Sequence, residues 1–513
     1  MRWGTTERSR AWCCTRIRPD VVYALTFALA ALLAIALRPA PTNGPFARDF
    51  EAYYAAGAVW NAGGDPYARD VWNVERTIPG VDASHDEMLP FVGPAAALPF
   101  WSLLARLPFA SARVLWESLL ALAIAGIIAG SLTIARGRIT PARAAAAIAL
   151  AVTSGPIVSG FTLGQAALLG AAATILGFVA LERRPAWAIP AAFVAAIQPN
   201  LALPLAVRAL DRRAFGALAC AAAAFLAVTL AVGGGGAGIA AYLRLLRAHD
   251  AAERYITIQH TVPAIAASFG ASHALADGLG AAASLAALAG VIVAAVRLRA
   301  QPAIVACVAV ALLPILVPFF HEHDFAIDLL PAIVLFVRGD ARIRALAGIA
   351  TVMTMIDWFG FAQRPHATPQ IAALVVCAAT ACALLATRTD DASCDARLAG
   401  LAPLVAAAIL AAGVIPLAHA FVAPTWPDTL GPYHAPPGAG ISTIWGEEGR
   451  RSGLGAIVPA WSVLRAIPLL GCVLLAYASA RLALPLQATT IAPSRTASAT
   501  LASDSPLHGP SVQ

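Results

Sequence analysis

Residues 115–150 read LWESLLALAIAGIIAGSLTIARGRITPARAAAAIAL. From Leu115 to Ala135 the only charge is Glu117; Arg136, Arg138 and Arg143 follow, and a second apolar run opens at Ala144. A helix crossing the roughly 30 Å hydrocarbon core needs about 20 apolar residues, and Lys/Arg gather in the cytoplasmic turns. The stretch therefore reads as two antiparallel spans joined by an inside turn. The same alternation fills most of the 513 residues, of which 59% are hydrophobic and 12% charged. Soluble domains carry about 25% charged residues, so disorder, a small disulfide scaffold and a soluble multi-domain enzyme are excluded. The mean hydropathy of +0.74 says the same.

The net charge of +7 comes from short Arg clusters between apolar runs, not from one basic face with interleaved aromatics. That is the positive-inside pattern, and no nucleic-acid partner is expected. Of the eight cysteines, Cys220, Cys307, Cys377, Cys382 and Cys472 lie in apolar runs, and Cys13, Cys14 and Cys394 in Arg-flanked segments. Neither a disulfide framework nor zinc-type spacing is present.

Walking outward by charge predicts an all-α polytopic bundle of about 12 crossings with both termini cytoplasmic. Residues 1–20 form a basic cytoplasmic N-terminus, residues 21–486 the membrane domain with a first span at Val21–Leu37, and residues 487–513 a disordered cytoplasmic tail. Outer loops are expected at about 38–113, 233–273 and 422–454. The run Ala186–Val207 has arginines at both ends and Gln198-Pro199-Asn200 at its middle. Pro removes a helix donor and disfavours helix before it. Two half-length helices dipping in and returning, or one kinked span, would both fit.

Every sizeable polar segment thus falls on the outer face. In the first outer loop, residues 46–67 read FARDFEAYYAAGAVWNAGGDPY. Phe50, Tyr53, Tyr54, Gly57 and Trp60 recur at helical spacing, and Gly63-Gly64 ends the pattern. This predicts an amphipathic helix on the outer membrane face or against the bundle. Asp49, in its first turn, suits either a helix cap or a general base at the membrane surface.

This loop resembles the opening of glycosyltransferase family 87, in which an Asp-Phe, a Tyr pair and a Gly-Asp-Pro-Tyr follow the first span. Leu89–Pro99, Gly164-Gln165 and Trp187–Arg213 are also similar to the family. The resemblance implies a GT-C-type bundle that uses a polyprenyl-phosphate sugar, with mannose the associated sugar. It implies inverting hexosyl transfer to a glycan or glycolipid acceptor, with Asp49 as base. Three departures stand out: Gln198-Pro199 where Lys-Pro is common, Ile258-Gln259-His260 where Asn-Gln-Ser is, and His321-Glu322-His323 where Trp-acid-His is.

Such a transfer needs one carboxylate to take the acceptor proton and cationic or N–H donors for the departing phosphate. The donor-binding candidates are Arg48, Gln165, Gln259, His260, His321, Glu322, His323 and Arg364. With the resemblance, His323 is the first choice and Glu322 its orienting partner. On its own residues, the string His321–Asp324 reads first as an ordinary solvated turn and only secondarily as a metal site, because neighbours at i and i+2 do not share a helix face. The chemistry requires no cofactor; a divalent cation is compatible with it. Asp328 and Asp357 sit in apolar runs and should face a cavity or a partner. The Arg- and Ala-rich composition suggests a bacterial inner membrane with the site on the periplasmic side. A flippase or other transporter is the alternative function; it predicts matched halves with broken helices, and no internal repeat is visible.

Overall fold

The computed structural model describes residues 47–79, 90–136, 140–363, 367–387, 393–419, 443 and 459–483. The expected first span, the third outer loop and both terminal segments lie outside them. Among the described residues there is helix and no strand. The principal helices are α1 (Arg48–Asn61), α2 (Leu98–Leu104), α3 (Phe109–Ala135), α4 (Pro141–Thr153) and α5 (Gly155–Leu163). They continue with α6 (Ala167–Arg183), α7 (Pro185–Ala195), α8 (Arg212–Val232), α9 (Gly236–Glu253), α10 (His273–Arg297) and α11 (Pro302–Ala311). The last are α12 (Leu329–Arg338), α13 (Ala341–Met355), α14 (Thr368–Ala386), α15 (Cys394–His419) and α16 (Pro459–Ala483).

Local chemistry sets the starts. Thr140, Asp211, Ser272 and Asp340 each accept a first-turn N–H with the side chain, opening α4, α8, α10 and α13. Among the described residues, seven helices are long and apolar enough to cross a membrane, and eight if α4 and α5 form one span. The protein is therefore a multi-pass membrane protein. The expected count of about 12, which includes a first span outside these residues, is not reached among them, where several apolar runs are broken. Ala144–Ser159 bends by 56° between α4 and α5. Pro302–Phe319 stops at Ala311 and resumes as the short helix Leu313–Leu316. Helices of 10 residues, such as α11 and α12, reach only about 15 Å. The Ala186–Val207 run also breaks where expected, with α7 ending at Ala195 and Gln198 preceding the short helix Pro199–Ala202. The expected second outer loop is itself helical, carrying α9 and Val262–Ser268.

Ala- and Gly-rich faces let these helices approach closely, as membrane helices require. A Cβ on Gly130 would lie 2.6 Å from Ile175, which locks α3 to α6, and one on Gly471 would lie 2.7 Å from Thr354, which locks α16 to α13. On the outside the pattern reverses: α8 buries Ala214, Ala217 and Ala221 while Phe215 is 58% and Leu226 53% exposed. Such apolar surface fits lipid. Among the described residues, two arginines are fully buried. Arg344 donates to Ala386 O (2.7 Å) and Gly339 O (3.1 Å), satisfying carbonyls at the ends of α14 and α12. Arg465, on α16, donates to Gln259 O (3.0 Å), Ile256 O (3.2 Å) and Ser268 Oγ (2.5 Å). It pins residues 256–268 to the bundle.

Helix α1 is seated by its own glycine. A Cβ on Gly57 would run into the Trp101 carbonyl and come within 2.8 Å of Ser102 N, both backbone groups of α2. Gly57→Val should force α1 off α2 and destabilise the protein by about 1–3 kcal/mol. A thermal midpoint in detergent that stays at the wild-type value would contradict that seating.

Candidate functional site

The site is built where α1 meets the turn between α5 and α6. Gly164 has φ +72°, a left-handed conformation that suits glycine, and a Cβ there would approach Phe50 Cβ at 3.0 Å and Ala47 Cβ at 3.1 Å. The Trp116 indole donates to Gly164 O (2.8 Å) and stacks on Phe50 with ring centroids 5.9 Å apart. Ala47 N donates to Thr162 O (2.9 Å). These contacts dock the first turn of α1 against the turn and aim Gln165 at it.

Asp49 and Tyr53 are i, i+4 neighbours on one face of α1, and Gln165 bridges them. Its Nε2 donates to Asp49 Oδ2, while Tyr53 OH donates to its Oε1 at 3.0 Å. A carboxylate only accepts, so the amide can sit in one orientation. Burial, then the Asp49 charge, push the Tyr53 phenol up, so it remains a protonated donor. Its ring stacks on Trp101 at 4.6 Å. Gln165, expected to touch the donor, thus lies directly against Asp49.

The second half comes from the connection between α11 and α12. His321 N donates to Asp324 Oδ2 (2.9 Å) and opens the 3-10 helix Glu322–Asp328. His323 sits over Gly160 of α5, where a Cβ would lie 3.3 Å from its own Cβ. Its Nε2 is 3.8 Å from Asp324 Oδ1. Glu322 Oε1 faces Gly155, where a Cβ would meet it at 2.7 Å beside Asp357. Tyr53 feels the charges of both Asp49 and Asp324, so the two halves share one neighbourhood.

Gln259 braces the connection from behind. Its Oε1 accepts from Phe320 N (3.1 Å) and its Nε2 lies 3.2 Å from His321 Nε2. His260 N donates to Phe320 O (2.8 Å), and its ring meets Phe325 edge-on at 5.3 Å. Burial pushes His260 down to about 3, helped by the Arg465 charge. His323 is lowered well below the ordinary range by burial, then by His321 and His260. His321 is lowered by burial and by His249, against the pull of Glu253. These imidazoles are neutral at pH 7 and serve as hydrogen-bonding groups rather than cations. Asp324 moves the other way: burial pushes it up to about 7, only partly offset by His321 N–H.

Arg48 is buried, and its charge helps to lower Glu253. Arg254 pairs with Asp250 (2.7 Å) and Asp277 (3.2 Å). Asp328 accepts from Cys472 Sγ (3.2 Å), and Asp357 accepts from Gly360 N (2.5 Å). Arg364 and His366 lie outside the described residues. Gln198 packs on Gly170, where a Cβ would lie 2.8 Å from its own. Among the described residues, no three His, Cys, Asp or Glu side chains converge as metal ligands would. Sequence reasoning missed Tyr53 as a bridge, Arg465 as an anchor, and the pair His249 and Glu253. The i, i+4 spacing of that pair was the available signal.

A multi-pass helical membrane protein with a braced carboxylate beside a histidine-bearing connection is the class these features define. Residues 91–318 match the family model described as glycosyltransferase family 87. The match supports the resemblance found in the sequence, and the function it implies is that of a membrane glycosyltransferase, with a sugar donor and an acceptor. It takes in Gln165, Gln259 and His260; Asp49 lies before it and His321–Asp324 after it. No curated protein and no solved structure matches the chain.

Two predictions follow from this geometry. Gln165→Ala should lower kcat about 10- to 100-fold with the fold intact, and Tyr53→Phe about 5-fold, since each removes a brace on Asp49. Wild-type kcat in steady-state assays of either variant would contradict the bridge. His260 is neutral when folded and protonates in the unfolded chain below its ordinary value near 6.5. Its contribution is therefore full above pH 6.5 and falls as pH drops towards about 3, by at most about 1.4 kcal/mol per pH unit. Thermal midpoints between pH 8 and 5 should fall less steeply for His260→Asn than for wild type.

Proposed function

We propose that the protein transfers a hexose from a polyprenyl-phosphate donor to a glycan or glycolipid acceptor, with inversion at the anomeric carbon. Asp49 is the general base. The observation that carries this reading is the Asp49–Gln165–Tyr53 bridge in the first turn of α1, in a chain similar to a glycosyltransferase family. A carboxylate with one oxygen fixed by an amide has a defined direction for its second oxygen, as a positioned base requires. The acceptor hydroxyl gives its proton to Asp49 while its oxygen bonds to the anomeric carbon. The carbon–oxygen bond to the phosphate breaks, and the phosphate departs with the electron pair. N–H groups of His321 and His323, with Arg48, are the chain's groups for meeting that charge.

The positive-inside pattern puts α1 on the side opposite the Arg-rich turns, the periplasmic face if the membrane is a bacterial inner membrane. Mannose is the sugar that the resemblance suggests. A second arrangement is favoured by one observation: Asp324, pushed up to about 7, lies 3.8 Å from His323 Nε2. In that arrangement His323 takes the proton and Asp324 orients it.

The test is transfer from a polyprenyl-phosphate hexose by the purified protein in nanodiscs. Asp49→Asn should lose at least about 1,000-fold in turnover, and His323→Ala about 100-fold, both with wild-type melting. Equal turnover in Asp49→Asn would remove Asp49 as the base, and a far larger loss in His323→Ala would favour the second arrangement. Net movement of a lipid-linked sugar without transfer would support the flippase alternative.

A further inference from the structure

The arginines on both sides of the Ala186–Val207 run have no part in the scheme above. Packed on α6, this run doubles back. On its way out it is met by Gly177 and Gly170, where Cβ atoms would lie 3.9 Å from Ala191 and 2.8 Å from Gln198. The same two positions meet its return, at 3.5 Å from Leu201 and 3.1 Å from Leu205. At the end of the 3-10 helix Leu203–Leu210, Arg208 Nη1 comes to 4.0 Å from Glu182 Oε1 in the last turn of α6. The run thus finishes beside its own start, and Arg183-Arg184 and Arg212-Arg213 stand at one end of the bundle. By the charge pattern that end is cytoplasmic.

The acids in this group are already engaged. Glu182 pairs with Arg136 as well as Arg208, and Asp211 takes Arg208 (3.4 Å) and the Arg213 N–H (3.0 Å). Arg183, Arg184, Arg212 and Arg213 are exposed, and among the described residues none of the four has an ion-pair partner. Six arginines against two carboxylates leave four positive charges, and arginine stays charged at any working pH. Helix α7 starts here without a side-chain cap, so the positive end of its dipole adds to the field. The surface beside these charges is apolar. Trp187, in the first turn of α7, is 65% exposed, Leu210 is 69% exposed, and Phe215 in the first turn of α8 is exposed as well. Tryptophan next to arginine at a helix end is the pattern of a membrane–water boundary.

We propose that this end of α6, α7 and α8 is a docking site for an anionic phospholipid of the cytoplasmic leaflet. The headgroup phosphate lies between the pairs Arg183-Arg184 and Arg212-Arg213, and the acyl chains run along Trp187, Leu210 and Phe215. Guanidinium groups take phosphate through forked, charge-assisted hydrogen bonds. Basic sites between helices on the cytoplasmic side suit that headgroup chemistry. The lipid ties together the two feet of the doubled-back run. At the turn of that run, Asn200 Nδ2 donates to Phe319 O (3.1 Å), two residues before His321. The clamp therefore holds the base of the element whose tip meets the histidine connection.

The experiment titrates the full chain in detergent with phosphatidylglycerol or phosphatidylcholine carrying the same fluorescent acyl chain, and reads binding by anisotropy. Wild type should prefer phosphatidylglycerol about tenfold or more, and the preference should fall as salt rises from about 0.05 to 0.5 M. Arg183→Gln/Arg212→Gln takes one charge from each pair; it should lose about fivefold or more of the preference and melt like wild type. Arg297→Gln/Arg299→Gln removes equal charge from the exposed foot of α10 and should keep the preference within about twofold. Excess inorganic phosphate at constant ionic strength should leave the lipid bound. An undiminished preference in Arg183→Gln/Arg212→Gln overturns the proposal. An equal loss in the α10 variant does so too, since the attraction would then belong to every basic helix end. Displacement by phosphate overturns the lipid assignment. A wild type with no preference, or with one that salt does not touch, overturns the proposal without any variant.

Discussion

The amide of Gln165, fixed between a phenol and a carboxylate, is the contact on which the rest of the site depends. Its two ends cannot exchange roles, because Asp49 only accepts and Tyr53 is held as a donor. Everything around it serves that orientation. Gly164 permits the corner, Trp116 closes it, and Gly57 allows α1 to lie directly on α2. A membrane bundle rich in alanine has few ways to hold a polar group in place. Here the close approach of small residues replaces bulky packing, and buried tryptophans fill what remains.

Buried arginines provide the second means of control. Arg344 and Arg465 hand their N–H groups to backbone carbonyls. Arg465 matters more for function, because the segment it pins carries Gln259 and His260, which brace the histidine connection from behind. The result is a polar cluster assembled from parts of the chain that are distant in sequence and belong to separate helices.

Much of the fold was legible from charge and hydropathy. The expected span Leu275–Val296 is the helix His273–Arg297, and the expected Ile371–Ala386 is Thr368–Ala386. In both, an uninterrupted apolar run ends at Arg or a capping residue, so composition alone marks the ends. The helix after residue 46 was legible for the same reason, ending before Gly63-Gly64. The breaks were harder to see. Ser154-Gly155-Pro156 interrupts a run whose hydropathy hardly changes, and only its backbone preferences could have warned of a bend. Helix α9 was missed because glycines at 233–236 and scattered charges read as a loop. Gln165 was recognised as a site residue, but its partner lies 116 residues away, and no local pattern encodes such a contact. The pairing of His249 with Glu253 was hidden for a related reason, since a solvated helix surface shows the same spacing.

The account turns on Asp49 and Gln165 acting as one unit. A double-mutant cycle on turnover, with Asp49→Asn, Gln165→Ala and the double variant, measures that directly. Strong coupling is predicted, with Gln165→Ala costing almost nothing once Asp49 is already replaced. Losses that simply add would mean that the amide does not act through the carboxylate.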